Sequence, residues 1–374
     1  MRIAYCIREK YENGGDGIQA IKTKEYLVKK YNVNIDIITN PNQLDASYDL
    51  VHIFNYATTD LSKAFFNKAL ELKLKIVSSP IYWDYSYSIM PLYMYFWCDK
   101  NFISECFIQF HRFFHSIISL LPKSLIKESY TNVSSRFKRH IRFFVKNSEL
   151  ILPNSYEEGE LCCSFAGIND EKSKIRVVYN GVDVSGVKIL GREEFFSKYN
   201  IPQNYILQVG RVEYPKNQMN LISAMMDFPE IPIVIVGTPN EKYPYVHKLR
   251  KLAAKRGNVY FLEHVTHDEV YSFYYYAKIH VLLSMRESPG LVNLEALSQG
   301  CPIVISDERC LPVKTYFKEN FISVNPFDKK KIKNAIMRAY EMEHKKVDLS
   351  EFSWEKVADQ TYAAYSELLN GSSK

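Results

Sequence analysis

Two glutamates stand eight residues apart in the segment RESPGLVNLEALSQGCPIVISD, residues 286–307. Glu287 follows a short apolar run, and a helix-like run that carries Glu295 comes after the pair Pro289 and Gly290. Pro and Gly allow a tight strand-to-helix turn whose free N–H groups form a site for phosphate. Two helical turns separate the carboxylates, so both can face one side and accept hydrogen bonds from sugar hydroxyl groups. Two solvated surface glutamates are the alternative.

Two basic residues follow another apolar run, in the segment QVGRVEYPKNQMNLISAM, residues 208–225. The run ends at Gly210, Arg211 comes next, and Lys216 follows five residues later, just before a predicted helix. Cations at the carboxyl end of a parallel strand lie where α/β folds bind ligands. Arg binds phosphate oxygens through paired hydrogen bonds, and Lys acts as a point charge. The segment therefore predicts a phosphate site, and two solvated bases in a loop are the alternative.

A third segment, NGGDGIQ at residues 13–19, comes directly after the first apolar run of the chain. Its glycines would let the backbone approach a ligand closely. The segment matches neither the dinucleotide-binding pattern G-x-G-x-x-G nor a P-loop with its lysine. It indicates either a ligand-facing turn or an ordinary one.

Short apolar runs alternate with longer amphipathic ones along the chain, which is typical of βα units with parallel sheets. The chain has 374 residues, of which 47% are apolar, so two domains are expected. We predict strands at residues 2–7, 33–39, 50–54, 74–78, 150–153, 177–179, 205–209, 233–236, 259–262, 280–284, 303–306 and 322–324.

The first domain is predicted to comprise residues 1–185 and the second residues 186–352, because the glycine-containing segment SGVKILGREE lies at this junction. A terminal helix over 353–374 begins at a predicted N-cap, Ser353. Over about 85–147 the alternation stops, which indicates a mainly helical insertion rich in aromatic and basic residues.

Composition excludes several classes of protein. No apolar stretch reaches the length of a membrane span, and the N-terminus lacks the pattern of a signal peptide. The seven cysteines are odd in number and lack zinc-ligand spacing, so we expect reduced thiols and a cytoplasmic protein. A net charge of +6 is too mild to indicate nucleic-acid binding, but it suits anionic substrates or an anionic membrane surface.

The segment RFKRHIRFFVK, residues 136–146, reads as a basic amphipathic helix. Its apolar residues are Phe137, Ile141, Phe144 and Val145. Such a helix can lie on the inner face of an anionic membrane, or it can pack on its own domain with a solvated basic face. Membrane contact would suit a lipid-linked acceptor.

Together and in this order, these segments resemble glycosyltransferase family 4, a group of retaining enzymes with the GT-B fold. Further segments match family habits: DLVHIFN (49–55), ILPNSYEEGELC (151–162), VVYNGVDV (177–184) and FSWEKVADQTYAAY (352–365). The resemblance implies an α/β fold of two Rossmann-like domains that face each other across a cleft. The N-terminal domain would bind the acceptor and the C-terminal domain the nucleotide sugar, and the terminal helix would cross back to the N-terminal domain.

The resemblance also implies roles for individual residues. Arg211 and Lys216 would bind the donor diphosphate, Glu295 the ribose hydroxyls, and Glu287 the hydroxyls of the donor sugar. The further donor-binding residues that it implies are Gly15, Gly210, His264, Val265, Gly290, Leu291 and Val292. The predicted catalytic residues are Glu287, Arg211, Lys216 and Asp84. The donor would be a UDP-sugar or a GDP-sugar, transfer would retain the anomeric configuration, and no metal or other cofactor would be required.

One segment departs from the family pattern. Many members carry a histidine shortly after the fourth strand, whereas SSPIYWDYS, residues 78–86, contains none. Asp84 or Tyr82 would then serve near the acceptor, or the sugar would be held differently. His52 is a weaker candidate, because a histidine within a strand is more often a core residue.

The predicted function is hexosyl transfer to a glycan or lipid-linked acceptor during synthesis of a surface polysaccharide, lipopolysaccharide or glycolipid. The missing histidine leaves an alternative, a catalytically silent GT-B partner or glycan-binding protein. A phosphorylase or a sugar-nucleotide epimerase fits the sequence less well.

Overall fold

The computed structural model describes residues 1–11, 14–83, 135–168, 170–183, 186–239, 241 and 244–371. These residues form two compact units that divide between Gly181 and Val182, and the chain from Glu351 onward belongs to the first unit. The sequence prediction had placed the domain junction after residue 185. Asp84 and most of the predicted insertion lie outside the described residues.

A parallel sheet of five strands forms the centre of the first unit. The strands are β1 (Arg2–Cys6), β2 (Asn34–Ile38), β3 (Leu50–Phe54), β4 (Lys75–Ser79) and β5 (Leu150–Ile151). Their order in the sheet is β2-β1-β3-β4-β5, so the direction of the chain connections reverses between β1 and β3. In open parallel sheets, ligands bind at the carboxyl ends of the strands beside such a switch point.

All five of these strands were predicted, but the sixth strand predicted in this half, at 177–179, is wrong. The chain there makes one isolated parallel bridge, between Ile151 and Ile175, and the Val178 N–H donates to the Pro153 carbonyl at 2.9 Å. Pro153 has no N–H of its own, so the ladder beside β5 cannot continue.

Apolar side chains cover both faces of the first sheet. The helices of this unit are α1 (Gly15–Tyr31), α2 (Thr59–Glu71), α3 (Ser135–Asn147), α4 (Tyr156–Ala166) and a terminal helix (Trp354–Asn370). One face buries α2, α3 and α4 in a core that includes Phe66 and Phe144. The other face buries α1 and the terminal helix in a core that includes Leu27 and Val357.

Helix α3 contains the segment 136–146 that was predicted as a basic amphipathic helix. Its apolar residues Phe137, Ile141, Phe144 and Val145 are all buried in the core of the first unit, so this apolar face packs on its own domain. The exposed side chains of the helix are basic: Lys138, Arg139, Arg142 and Lys146.

The terminal helix is anchored to the sheet by a chain of buried polar groups. The Ser353 hydroxyl accepts a hydrogen bond from the Lys356 N–H, which confirms the predicted N-cap. Farther along, the Tyr365 hydroxyl lies 2.6 Å from His52 Nδ1, whose Nε2 lies 2.8 Å from the Ser79 hydroxyl. Burial lowers the pKa of His52 to about 3, so this histidine is a neutral core residue with both ring nitrogens paired.

A six-stranded parallel sheet forms the centre of the second unit. Its strands are β6 (Ile206–Val209), β7 (Ile233–Val236), β8 (Val259–Leu262), β9 (Ile279–Leu282), β10 (Ile303–Ser306) and β11 (Phe321–Val324). Its helices are α5 (Arg192–Tyr199), α6 (Gln218–Ala224), α7 (Pro244–Arg256), α8 (His267–Tyr276), α9 (Leu291–Ser298), α10 (Val313–Tyr316) and α11 (Lys329–Tyr340). All six strands were predicted to within two residues at each end.

The strand order in the second sheet is β11-β10-β9-β6-β7-β8, the doubly wound order of dinucleotide-binding domains, with its switch point between β6 and β9. The α/β class predicted from the sequence is therefore confirmed in both units. Within the described residues, no helix is long and apolar enough to cross a membrane.

The first prediction concerns the anchor of the terminal helix. Tyr365→Phe leaves a ring nitrogen of His52 buried without its partner, so we expect the free energy of unfolding to fall by about 1–2 kcal/mol. The matched control is Tyr362→Phe on the same helix, because Tyr362 stacks on Tyr31 through its ring. Chemical denaturation of the three proteins measures the difference, and equal stabilities for both variants would contradict the anchoring role.

Candidate functional site

The candidate site lies at the carboxyl ends of β6 and β9, the two strands that flank the switch point of the second sheet. The loop after β6 carries Gly210, Arg211 and Lys216, and the loop after β9 carries Glu287 and Gly290. A backbone hydrogen bond joins the two loops, because the Met285 N–H donates to the Pro215 carbonyl at 2.8 Å.

Two glycines allow the loop after β6 to leave the sheet. Gly210 has a φ of +143° and Gly237, at the end of the neighbouring strand β7, has a φ of +153°. A Cβ on Gly237 would stand 2.0 Å from the carbonyl oxygen of Gly210, closer than any side-chain atom can approach. The two backbones touch here, so the loop can turn over the sheet edge only if residue 237 is glycine.

Lys216 is held by its neighbours in a fixed position. It ends a short 3₁₀ helix, Tyr214–Lys216, and its carbonyl accepts a hydrogen bond from the Gln208 side chain at 2.8 Å. Asn217 then takes a left-handed conformation and its amide donates to the Pro326 carbonyl at 2.8 Å. The Lys216 ammonium forms an ion pair with the Glu287 carboxylate, and the two side chains are only 18% and 12% exposed.

Arg211 behaves differently from Lys216. Its side chain is 72% exposed and pairs with Glu213 at 2.9 Å, while its carbonyl accepts a hydrogen bond from the Gln218 side chain. The structure therefore brings Lys216 and Glu287 together, and it leaves the Arg211 guanidinium facing solvent on the same loop. Exposed ion pairs of this kind are weak, so a phosphate could draw the guanidinium away from Glu213 at little cost.

Helix α9 begins immediately after Gly290, which has a φ of +86°. The Glu287 N–H donates to the Cys310 carbonyl at 2.8 Å, and the Asn293 N–H donates to the Gly290 carbonyl at 2.9 Å. Leu291 and Val292 form the half-buried first turn of this helix, whose N–H groups lack partners in a preceding turn.

Glu295 lies inside the unit on the same helix, and it has a different set of partners from Glu287. Its side chain is buried and accepts a hydrogen bond from the Tyr274 hydroxyl at 3.0 Å. His267 Nε2 lies 3.3 Å from its other carboxylate oxygen. The hydrogen bond that His267 donates to the Glu295 carboxylate raises the pKa of His267 and outweighs burial, and the nearby Asp183 and Asp268 raise it further.

His267 and Tyr274 were missed by the sequence reasoning, which singled out His264 and Val265 in the same region. His264 is exposed and Val265 half-buried, in the loop between β8 and α8. A usable signal was present, because Thr266 and Glu269 form a capping box that places His267 at the first position of a helix. Tyr274 carried no such signal, since its role depends on the packing of α8 against α9.

Gly15 lies in the first unit, at the start of α1 and after the carboxyl end of β1. Beside it, the Arg8 guanidinium binds both carboxylate oxygens of Asp16, at 2.8 and 2.9 Å, and the Asn55 amide donates to the same carboxylate at 3.1 Å. Burial raises the pKa of Asp16, but these hydrogen bonds outweigh it and the pKa is lowered. These three residues at the switch point of the first sheet were also missed.

No group of three or more potential metal ligands occurs among the residues that the structure describes. Asp84, the fourth predicted catalytic residue, lies outside them, whereas Tyr82 is buried and its N–H donates to the Glu158 carboxylate. The arrangement in the second unit thus offers one mostly buried cation, two carboxylates and a helix N-terminus. This combination suits a ligand that carries phosphate and hydroxyl groups together.

Comparison with known proteins identifies the second unit. Residues 191–355 match the profile of the family described as "Glycosyl transferases group 1". The matched residues form a domain of that family. The resemblance to a glycosyltransferase family that the sequence indicated is thereby confirmed for this segment.

Individual relatives agree with this assignment. An uncharacterised glycosyltransferase of Methanocaldococcus jannaschii is 29% identical over 224 residues, which are 55% of this chain and 56% of the relative. The chain thus spans about half the length of the curated relatives it matches.

Two solved structures share the fold over nearly the whole chain. Sucrose-phosphate synthase of Thermosynechococcus elongatus superposes with a TM-score of 0.71 at 16% identity, covering 99% of this chain and all of the synthase. HepE of Anabaena, solved in complex with UDP, gives 0.68 at 15% identity, covering 98% and 100%. Both are GT-B proteins, so the predicted GT-B fold class is confirmed.

The second prediction tests the contact between the two glycines. Gly237→Ala places a methyl group against the Gly210 carbonyl, so we expect displacement of the loop that carries Lys216 and a loss of about 2–4 kcal/mol of stability. Gly257→Ala is the control, since Gly257 also has a positive φ but open space around its Cβ position. We expect that variant to lose only about 1 kcal/mol. Denaturant titration measures both, and equal losses would refute the contact.

The third prediction concerns His267. Because its folded-state pKa is raised above 6.5, its proton stabilises the fold below that pH, and this stabilisation is lost as the pH rises through the raised value. His267→Gln removes the titration, so the stability advantage of the wild type over this variant should shrink between pH 6 and pH 8.5. His247→Gln, on the exposed face of α7, is the control and should leave the pH profile unchanged. Thermal melts across this pH range provide the measurement.

Proposed function

We propose that this chain is a retaining glycosyltransferase, which moves a hexose-type sugar from a UDP-sugar or GDP-sugar to a glycan or lipid-linked acceptor. The observation that carries the proposal is the Lys216–Glu287 pair at the switch point of a group 1 domain. Lys216 offers a mostly buried positive charge for a diphosphate. Glu287 offers acceptor oxygens for the hydroxyl groups of the attached sugar.

The chemistry follows from where charge develops. The bond between the anomeric carbon and the diphosphate oxygen breaks, and a bond to the acceptor oxygen forms on the same face of the sugar. The acceptor's proton passes to the departing phosphate oxygen. Lys216 stabilises the negative charge that grows on the diphosphate, and this effect is strong because the ammonium is largely removed from water. Arg211, on the exposed side of the loop, binds the same diphosphate.

We assign to Glu295 the binding of the nucleoside part of the donor. A carboxylate has about four lone-pair sites, and Tyr274 and His267 use two of them. The remaining two suit the vicinal hydroxyls of a ribose. Gly210, Gly290, Leu291 and Val292 would contact the phosphates through their backbones, and His264 and Val265 would flank the base. The UDP in the HepE complex makes uridine nucleotides the first candidates for the test.

We further propose that the reaction requires no metal and takes place at the inner face of the cell membrane, during synthesis of a surface glycan. The exposed basic residues of α3, Lys138, Arg139 and Lys146, are the described feature that supports membrane contact. Binding to vesicles with and without anionic lipid, at low and high salt, tests this part of the proposal separately from catalysis.

The fourth prediction tests the site itself. Lys216→Ala and Glu287→Ala should each lower transfer or donor hydrolysis by at least about 100-fold, because each removes a group that acts on the reacting diphosphate or sugar. Lys251→Ala, on the exposed face of α7, is the control and should keep wild-type activity. The assay is release of nucleoside diphosphate from UDP-glucose, UDP-galactose, UDP-N-acetylglucosamine and GDP-mannose.

Circular dichroism and thermal melts of the same variants show whether the fold survives. Wild-type turnover in Lys216→Ala or Glu287→Ala would overturn the site assignment. Failure of the wild type to bind UDP, GDP or any donor of the panel would favour the alternative, a catalytically silent GT-B partner.

A further inference from the structure

Asn293 lies near the candidate site and has no role in the proposed function. It lies on the first turn of α9, its side chain is fully buried, and neither atom of its amide has a hydrogen-bond partner among the described residues. Buried amides are nearly always paired, because leaving one unpaired costs free energy. The fold keeps this one without a partner beside its candidate site.

The position of the amide points to a partner. A Cβ placed on Gly290 would stand 3.1 Å from Asn293 Nδ2 and 3.3 Å from Glu287 Cγ. The amide and the Glu287 side chain therefore flank the same small space, which exists because residue 290 has no side chain. Glycine at position 290 accommodates the positive φ, and because it has no side chain, no atom of residue 290 stands between the Asn293 amide and the Glu287 side chain.

Among the described residues, the Glu287 carboxylate has one partner, the Lys216 ammonium. A diphosphate carries more negative charge than a carboxylate, so it competes for that ammonium when it binds at the loop after β6. A carboxylate that is 12% exposed then needs a new donor, because a largely buried charge without a partner is costly. Asn293 Nδ2 supplies two N–H groups at this place.

We propose that Asn293 is a positioning residue, which receives the Glu287 carboxylate when the donor diphosphate takes Lys216, and which thereby orients Glu287 toward the donor sugar. This inference rests on the proposed function. It gives the site two arrangements: Glu287 pairs with Lys216 in one and with Asn293 in the other. The first is the described arrangement, and the second forms with a nucleoside diphosphate sugar.

Asn293→Leu tests the proposal because it removes the amide and leaves Lys216 and Glu287 in place. We expect the melting temperature to stay or rise, since no hydrogen bond is lost. The matched control is Asn220→Leu, a buried asparagine of the same unit whose amide donates to the Pro326 carbonyl at 2.8 Å. That variant should melt at a lower temperature. If leucine is too large at residue 293 for the chain to fold, Asn293→Ala serves in the same comparison.

Binding separates positioning from structure. For Asn293→Leu, we expect an unchanged Kd for uridine or guanosine, which carry no phosphate to compete for Lys216. We expect a roughly 10-fold weaker Kd for UDP or GDP and for the corresponding nucleotide sugar, with donor hydrolysis reduced about 10-fold or more, since about 1.4 kcal/mol corresponds to a factor of ten. Glu287→Gln should weaken the nucleotide sugar similarly. The double variant should be no weaker than either single one, because the two side chains act as one unit.

The outcomes are distinct from those of the proposed function. A wild-type protein that binds none of the nucleotides or nucleotide sugars defeats the proposed function and this inference with it. A wild-type protein that binds them, with Asn293→Leu retaining hydrolysis within twofold, overturns this inference alone. A melting temperature that falls as far as in Asn220→Leu would show that the amide has a partner in the fold, and it would also overturn the inference.

Discussion

The ion pair between Lys216 and Glu287 is the interaction on which the arrangement of the second unit's site depends. Each charge is mostly removed from water, and either one alone would be expensive to bury, so each fixes the other. The pair forms because the loops after β6 and β9 meet at the switch point, where Met285 donates to the Pro215 carbonyl. The same pair sets the condition for ligand binding: an anion that takes Lys216 must leave Glu287 with another partner.

Each unit has charged residues beside the switch point of its sheet, but the two groups of residues are paired differently. In the first unit, Arg8, Asp16 and Asn55 meet beside its switch point, and the Arg8 guanidinium binds both oxygens of the Asp16 carboxylate. This cluster is internally paired, so its charges hold the start of α1 in place. In the second unit, the Lys216 ammonium is a point charge with a single partner within the described part of the chain. Such a contact exchanges partners more readily than an arginine that binds both oxygens of a carboxylate.

The fold was largely predictable because the β-branched and apolar runs of both sheets are separated by amphipathic segments at regular spacing. The error at 177–179 arose because apolar composition does not show that Pro153 interrupts the neighbouring ladder. The positions of Lys216, Glu287 and Glu295 after the carboxyl ends of β6 and β9 were predictable, because the sequence places them at short distances from those strands. Their partners were not. The capping box at Thr266 marks His267 as the first residue of a helix, but the contacts of His267 and Tyr274 with Glu295 depend on the packing of α8 against α9. No local pattern in the sequence encodes that packing.

Several elements that flank the second switch point carry buried side-chain atoms that have no hydrogen-bond partner among the described residues. Besides Asn293, the described residues include such atoms on Gln208 of β6, His280 of β9 and Ser284 just after β9. A sheet centre selected for stability alone would carry apolar side chains at these places, as the neighbouring positions do. Unpaired polar groups lower stability, and such a loss is expected at a site that binds a polar ligand, since stability and activity place opposite demands on the same residues. Of these residues, Gln208, Ser284 and Asn293 lie near or after the carboxyl ends of β6 and β9, which is the end of the sheet where the charged residues also lie.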